Sequence, residues 1–185
     1  MWKITTILVL VMIFYACYSK NETKNESTLN NLNNENEPNK IMTEPIDSIL
    51  SLPDSKDVLV LRTDFSSDNK WENICIMISK SGKELGFKPY VEYLNNIKYE
   101  GLKKERLLKR HENYKHLFIF IVDSITINHI EHPILCVDLY DKPGDSFRVI
   151  PSEMWGVENN LSISNMDFDE FLNTTDNDGI HRGFK

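Results

Sequence analysis

Two unbroken apolar runs constrain the fold of this chain more than any other feature. They are VLVL at 58–61 and LFIFIV at 117–122, and polar segments flank both. A strand with one solvated face alternates apolar and polar residues, whereas a strand buried on both faces is apolar throughout. Both runs therefore predict strands that are buried on both faces of a sheet.

Helices are predicted between and after these runs. Asp68 is a residue type that caps helices, and the apolar residues after it recur at i, i+3, i+4 and i+7. A second, more exposed helix is expected over 101–111. Two C-terminal helices are expected to begin at Pro151 and at Asp167, where Asp167 and Glu170 form the pattern of a capping box. The stripe after Asp68 consists of Trp71, Ile74, Cys75 and Ile78.

Three further segments predict strands. Residues 87–93 include Pro89, which cannot donate a hydrogen bond to a neighbouring strand, so an edge position is expected. Residues 134–140 predict a third buried strand, which the turn at 141–145 joins to a short strand at 147–150 as a hairpin. The complete order is β-α-β-α-β-β-β-α-α, and its early alternation favours parallel pairing. The sequence therefore predicts an α/β fold with a single mixed β-sheet and flanking helices.

The N-terminus has the pattern of a bacterial export signal. Lys3 precedes an unbroken apolar run of nine residues, Ile7 to Tyr15. A membrane-spanning helix needs about 20 apolar residues, so this run has the length of a signal peptide instead. Ala16 and Cys17 follow, and a small residue before Cys resembles the end of a lipoprotein signal. The resemblance implies that Cys17 becomes the first residue and carries lipid; secretion without lipid and an uncleaved anchor are the alternatives.

Three regions are expected along the chain. Residues 1–16 are predicted to be a lipoprotein-type signal peptide. Residues 17–52 hold the lipid-attachment cysteine and a disordered tether rich in Asn, Glu, Ser and Thr, which cannot bury enough apolar surface to order itself. Residues 53–185 are predicted to form one compact α/β domain. The expected localisation is that of an exported lipoprotein, anchored to a membrane of the bacterial cell envelope.

The net charge of −7 bears on the partners of this chain. Nucleic-acid binding needs a basic surface, so an acidic chain is not expected to bind nucleic acid. The membrane is an expected partner through lipid on Cys17, and a protein of the envelope is a second. No cofactor and no metal site are predicted. Cys75 and Cys136 lie on apolar stripes and are expected to be free thiols, with a disulfide as the alternative that export allows.

Three stretches of the sequence resemble a known bacterial family. They are LVLRTDF at 59–65, the segment from HPILCVDLY to NMDFDEF at 132–171, and GIHRGF at 179–184. Together they resemble the domain of unknown function 6924, and the likeness covers about residues 52–184. The resemblance implies one intact domain over these residues and assigns no catalytic or binding residue.

Arg62 and Asp64 end the first buried strand and are the first candidates for a binding site. Ligands of open α/β sheets bind beyond the carboxyl ends of the strands. If the strands are parallel, both residues lie at the same edge as Asp138 of the third buried strand. An arginine there suits a carboxylate or phosphate, which it holds by two hydrogen bonds. An internal ion pair of Arg62 with Asp64 or Glu153 is the structural alternative.

The segment 148–160 is unusually polar for a helix that also carries a tryptophan. Trp155 lies about one residue off the apolar face, so it is expected to line a groove or to cover the edge of the sheet. A structural corner is the alternative. The complete candidate binding surface is Arg62, Asp64, Asp138, Arg148, Glu153, Trp155 and Glu158.

Two functions from different classes are consistent with these patterns. The favoured one is a membrane-anchored binding or interaction module of the bacterial envelope, for which an immunity-type or inhibitor protein is one version. It is motivated by the lipid anchor, the tether, the small domain and a sequence without G-x-S-x-G, a Gly-rich phosphate loop or a zinc-type Cys pair. The alternative is a carboxylate-dependent hydrolase with its site around Arg62, Asp64, Asp138 and Glu153.

Replacing Cys17 with Ser is expected to remove the membrane anchor, because the lipid is attached through the thiol. Metabolic labelling with radioactive palmitate should mark the unchanged chain and leave Cys17→Ser unlabelled and released from the membrane fraction. Cys75→Ser is the matched control and should keep the label. Palmitate on the Cys17→Ser chain would contradict the lipoprotein prediction.

Overall fold

The computed structural model describes residues 52–82, 84, 86–109 and 115–184. The predicted signal peptide, the lipid site at Cys17 and the tether before residue 52 lie outside these residues. Within the described ranges, no helix has the length and apolar character needed to cross a membrane. The strands are β1 (Val58–Arg62), β2 (Val91–Leu94), β3 (Phe118–Val122), β4 (Ile134–Asp138), β5 (Ser146–Val149) and β6 (Ile180–His181). The helices are α1 (Asp68–Lys80), α2 (Lys104–Leu108), α3 (Ser124–Asn128), α4 (Met154–Ser162) and α5 (Phe168–Leu172), with 3₁₀ turns at Ile97–Tyr99 and Pro151–Glu153.

One mixed sheet of six strands organises the described residues, in the order β2-β1-β3-β4-β5-β6. β1 runs parallel to both β2 and β3, whereas β4 runs antiparallel to β3 and β5. β5 runs parallel to β6. A parallel pair needs a crossover connection, and α1 lies in the one between β1 and β2. The predicted fold class and the β4–β5 hairpin are confirmed.

Both faces of the sheet are covered, as the two apolar runs require. All five residues of β3 are buried, and so are the last four residues of β1. On one face the helices α1, α4 and α5 enclose a core that includes Trp71, Val157 and Phe171. On the other face the 3₁₀ turn at Ile97–Tyr99 contributes Tyr99 and α2 contributes Leu107 to a second, smaller core.

Several predicted boundaries are corrected by the structure. β2 begins at Val91 and not at residue 87, although it does lie at the edge of the sheet. Ser67 caps α1 with its hydroxyl, and the predicted cap Asp68 lies in the first turn. The helix expected over 101–111 is the shorter α2. The stripe predicted after Asp68 is buried, and the capping box of Asp167 and Glu170 is present.

Two short elements were not predicted. α3 has five residues and β6 has two, so neither is long enough to show a period in the sequence. β6 is held by Arg182, which forms ion pairs with Glu131 at 2.7 Å, Asp176 at 3.0 Å and Asp178 at 2.8 Å. These contacts join the C-terminal strand to the loop before β4 and explain how a two-residue strand can close the sheet.

Both cysteines of the described residues are buried and free. Cys75 lies on α1 and Cys136 on β4, so the disulfide alternative is wrong. Burial, together with the charge of Asp138, raises the pKa of Cys136 well above its ordinary value. The thiol therefore stays protonated and packs as a small apolar group.

A close contact fixes the end of α1 to the start of α4. The hydroxyl of Ser81 donates to the main-chain carbonyl of Ser152 at 2.8 Å and accepts the N–H of Trp155 at 2.7 Å. The indole of Trp155 then lies on Gly82, whose φ is +73°. A Cβ at Gly82 would come within 2.7 Å of Trp155 Cγ. Only glycine combines this left-handed conformation with so close an approach.

Replacing Gly82 with Ala is expected to lower the free energy of unfolding by roughly 2–4 kcal/mol, because backbone strain and a clash with Trp155 add together. Gly86→Ala is the matched control. Its φ is +81°, yet no atom lies within 4 Å of the added Cβ, so only the strain of about 1 kcal/mol remains. Urea unfolding monitored by circular dichroism measures both. Equal losses for the two variants would show that the contact with Trp155 is loose.

Candidate functional site

The sheet has a topological switch point between β1 and β3. After β1 the chain crosses through α1 to β2 on one side, and after β3 it passes through α3 to β4 on the other side. The two parallel strands remain paired to their ends, where the N–H of Thr63 donates to the carbonyl of Val122 at 2.9 Å. Crevices at such points are the usual ligand sites of open α/β sheets.

A cleft of about 530 Å³ opens at this point. Ile121 of β3 and Leu135 of β4 supply its apolar surface. The segment 101–105, which leads into α2, lines one side, and the residues that follow β3 line the other. The charged residues that line it are Asp64, Lys103, Lys104, Glu105, Asp123 and Arg148.

The central feature of the cleft is an ion pair between Asp123 and Arg148. Nη2 of Arg148 lies 2.6 Å from Oδ2 of Asp123, and Nη1 lies 3.1 Å from Oδ1. Nη1 also donates to the main-chain carbonyl of Pro133 at 3.0 Å. The side chains are only 15 % and 24 % exposed, for Arg148 and Asp123 respectively. The pair therefore joins the end of β3, the start of β4 and the middle of β5 at the rim of the sheet.

Asp123 has a second task in the local backbone. Its Oδ1 accepts the main-chain N–H of Thr126 at 3.0 Å and so caps α3. Burial by itself raises the pKa of Asp123, but the hydrogen bonds from Arg148 and Thr126 outweigh it and hold the pKa below its ordinary value. The carboxylate is therefore charged at neutral pH.

Two lysines line the other side of the cleft. Lys104 donates from Nζ to the Ser146 hydroxyl at 2.7 Å and to the Gly144 carbonyl at 3.1 Å. Both acceptors are neutral, so these contacts fix the ammonium without cancelling its charge. Lys103 is exposed and makes no ion pair with the described residues. Glu105 on the same side offsets one of the two lysine charges, so this side of the cleft keeps an excess of one positive charge.

Of the candidates from the sequence, Asp64 and Arg148 line the cleft together. The carboxylate of Asp64 accepts the N–H of Ser66 at 2.8 Å, which fixes the turn after β1. Arg148 begins the polar segment 148–160 and lies on β5, within the strand predicted at 147–150. These two residues are thus brought to one site although 84 positions separate them in the chain.

Arg62 is buried on the face of the sheet opposite the cleft, with 1 % of its surface exposed. Its Nε donates to the carbonyl of Asp64 at 2.9 Å, and its guanidinium lies 4.3 Å from the Phe65 ring centroid. Nη2 lies 2.8 Å from Oδ1 of Asp68, although its N–H bonds do not align with that oxygen. Arg62 therefore has internal partners, but the acid of its ion pair is Asp68 and neither of the two expected acids.

Asp138 and Asp64 lie at opposite ends of the strands, so the expectation that they share one edge of the sheet is wrong. β4 is antiparallel to β3, and Asp138 pairs with Phe118 at the start of that strand. The Asp138 carboxylate is buried and accepts the N–H of Tyr140 at 2.8 Å and of Lys142 at 3.0 Å. It organises the β4–β5 turn.

The candidates on and before α4 have structural contacts outside the cleft lining. Glu153 lies beside Gly183 of the C-terminal segment. Trp155 stacks on Phe87 with ring centroids 4.9 Å apart. Glu158 is buried and accepts the N–H of Tyr90 at 3.1 Å, which fixes the entry to the edge strand β2. Burial raises the pKa of Glu158 above its ordinary value.

Sequence reasoning missed Asp123, Ser124, Lys103 and Lys104 as site residues. A usable signal existed for Asp123, because it directly follows the apolar run that forms β3 and must lie at the carboxyl edge. No such signal existed for Lys104, since its place opposite β5 depends on how α2 packs. Within the described ranges, no group of three or more His, Cys, Asp and Glu side chains is placed to hold a metal ion.

Comparison with known proteins identifies one family. Residues 57–184 match the family model described as a domain of unknown function, DUF6924. The match begins directly before β1 and ends after β6, so it spans the whole sheet. No curated protein matches the chain.

Replacing Asp123 with Asn is expected to lower the free energy of unfolding by roughly 1.5–3 kcal/mol at neutral pH, the usual worth of a charged hydrogen bond. The pKa of Asp123 is lowered on folding, so the ion pair stabilises the domain fully above pH 3.8, the ordinary pKa, and loses this effect as pH falls through the folded pKa. Urea unfolding at several pH values measures the difference from the unchanged chain, which should shrink below that point. The exposed Asp141→Asn is the control and should change stability by less than about 0.5 kcal/mol. A difference that stays constant down to low pH would contradict the ion pair.

Proposed function

This chain belongs to the DUF6924 family, and we propose that its domain is a binding module displayed on the bacterial cell envelope, with the cleft at the switch point as its binding site. The cleft is the observation that supports this proposal. It combines an apolar surface, fixed charges of both signs and a volume of about 530 Å³ at the usual ligand position of an α/β sheet.

The charged groups of the cleft are held before any partner arrives. Asp123 and Arg148 fix each other, and Lys104 is fixed by Ser146 and Gly144. Groups that are already oriented lose little side-chain entropy on binding, which favours recognition. This arrangement supports a binding surface that recognises a partner by the pattern of its charges.

The display on the envelope is supported by the N-terminal sequence. The apolar run Ile7 to Tyr15, followed by Ala16 and Cys17, resembles a lipoprotein signal. A lipid on Cys17 and the polar tether up to residue 52 would hold the domain near a membrane while leaving the cleft accessible. A protein of the envelope is the partner that this position favours, and an immunity-type or inhibitor protein is one version of such a module.

The hydrolase alternative has weaker geometric support. It predicts that some of the carboxylates near Arg62 share one cleft, whereas Asp138 lies at the other end of the strands and only Asp64 of the predicted residues lines the cleft. Asp123 and Glu105 also line the cleft, but neither was part of the predicted hydrolase site, and both oxygens of Asp123 are engaged by Arg148. We therefore favour binding over hydrolysis.

Site-specific photo-crosslinking in cells of the native host tests this proposal. A benzoylphenylalanine is placed at Ser124, which is exposed at the cleft, and in a second strain at Asp141, which is exposed beyond the other edge of the sheet. Irradiation is expected to give a discrete adduct from position 124 alone, read on a denaturing gel and by mass spectrometry. Adducts of equal yield from both positions, or none from position 124, would overturn the cleft as a binding site.

A further inference from the structure

The guanidinium of Arg148 has two donors that the fold does not use. An arginine carries five N–H groups: one on Nε and two on each Nη. Asp123 takes one from Nη1 and one from Nη2 in an end-on pair, at 3.1 and 2.6 Å. The second N–H of Nη1 is directed to the carbonyl of Pro133, with the Thr126 hydroxyl at 3.4 Å. Nε and the second N–H of Nη2 have no partner among the described residues.

These two remaining donors lie on the same edge of the guanidinium and point in parallel. This edge is the side-on fork with which arginine binds two oxygens of one carboxylate or phosphate. The fork is rigid, because Asp123 and Pro133 hold the other edge and the side chain is only 15 % exposed. Arg148 lines the cleft, so a ligand in the cleft has access to it.

The charge around Arg148 also favours an anionic group. Asp123 neutralises the guanidinium, so a second anion needs positive charge from elsewhere. Lys104 supplies it, held by Ser146 two residues before Arg148 on the same face of β5, and Lys103 lines the cleft beside it. The exposed Glu105 offsets one of these two charges and leaves an excess of one. Asp64 follows β1, two strands further across the sheet from β4, and disfavours an anion at that end.

We propose that the cleft binds a ligand through a carboxylate or phosphate group seated on the free fork of Arg148 beside Lys104. Asp123 acts as a positioning residue that holds the guanidinium in place. The inference rests on the proposed binding function and names the chemistry of its ligand. A carboxylate and a phosphate present the same pair of oxygens, so both are tested.

The resonance of the Arg148 Nε–H group provides a direct readout. The full chain, with ¹⁵N-labelled arginine, is kept in detergent and titrated with sodium acetate or with inorganic phosphate. Two arginines serve as internal controls, because Arg62 Nε already donates to the Asp64 carbonyl and Arg182 Nε to Glu131. Sodium chloride at the same ionic strength corrects for screening.

A saturable shift of the Arg148 signal alone is the expected result. A shift with acetate but not phosphate assigns a carboxylate ligand, and the reverse assigns a phosphate. An Arg148 signal that neither salt moves, or one that moves no more than the signals of Arg62 and Arg182, would overturn the inference.

The substitution Arg148→Lys keeps the charge and removes the fork. Calorimetry is expected to show at least about tenfold weaker binding of the anion, acetate or phosphate, that shifts the Arg148 signal. The control is Lys80→Met, which removes the charge of an exposed lysine outside the cleft and should leave the affinity unaltered. If Arg148→Lys does not fold, the titration of the unchanged chain still decides. An adduct at Ser124 without any anion effect would remove this ligand assignment and leave the binding module intact.

Discussion

Strand β3 has no polar side, and the rest of the fold is arranged around that fact. All five of its residues are buried, with Ile119 and Ile121 in one core and Phe118, Phe120 and Val122 in the other. An apolar side chain gains stability only when another layer removes it from water, so both faces need cover. Helices α1, α4 and α5 cover one face, and the segment with α2 covers the other. The central position of β3 in the sheet follows from the same requirement.

The cleft is a consequence of how the chain leaves this centre. β1 and β3 are parallel neighbours, and the connections after them go to opposite sides of the sheet. Their carboxyl ends therefore remain uncovered by a crossing helix, and main-chain groups and side chains there need other partners. Asp123 and Arg148 supply some of these partners, since their ion pair also engages Thr126 and Pro133. One polar contact thus completes the edge of the sheet and forms the centre of the proposed site.

The strand pattern was predictable because it depends on local sequence. The apolar runs placed β1, β3 and β4, the hairpin turn placed β5, and the periodic stripe placed α1. β6 escaped prediction because its two residues are held by contacts of Arg182 with Glu131 and Asp178 and not by any period. The site was predictable only in part. Asp64 and Arg148 were named as candidates, whereas the residues that complete the cleft around them were not.

The mixed α/β class, the buried strands and the match to the DUF6924 family over residues 57–184 can all be obtained from the amino-acid sequence. These properties follow from hydrophobic periodicity and from motifs, which are written along the chain. Three other properties depend on how the chain packs: Asp138 lies far from Asp64, Arg62 is buried, and Asp123, Arg148 and Lys104 share one cleft. The direction of β4 sets the first of these. Strand direction depends on pairing between distant segments, and no local pattern of residues records it.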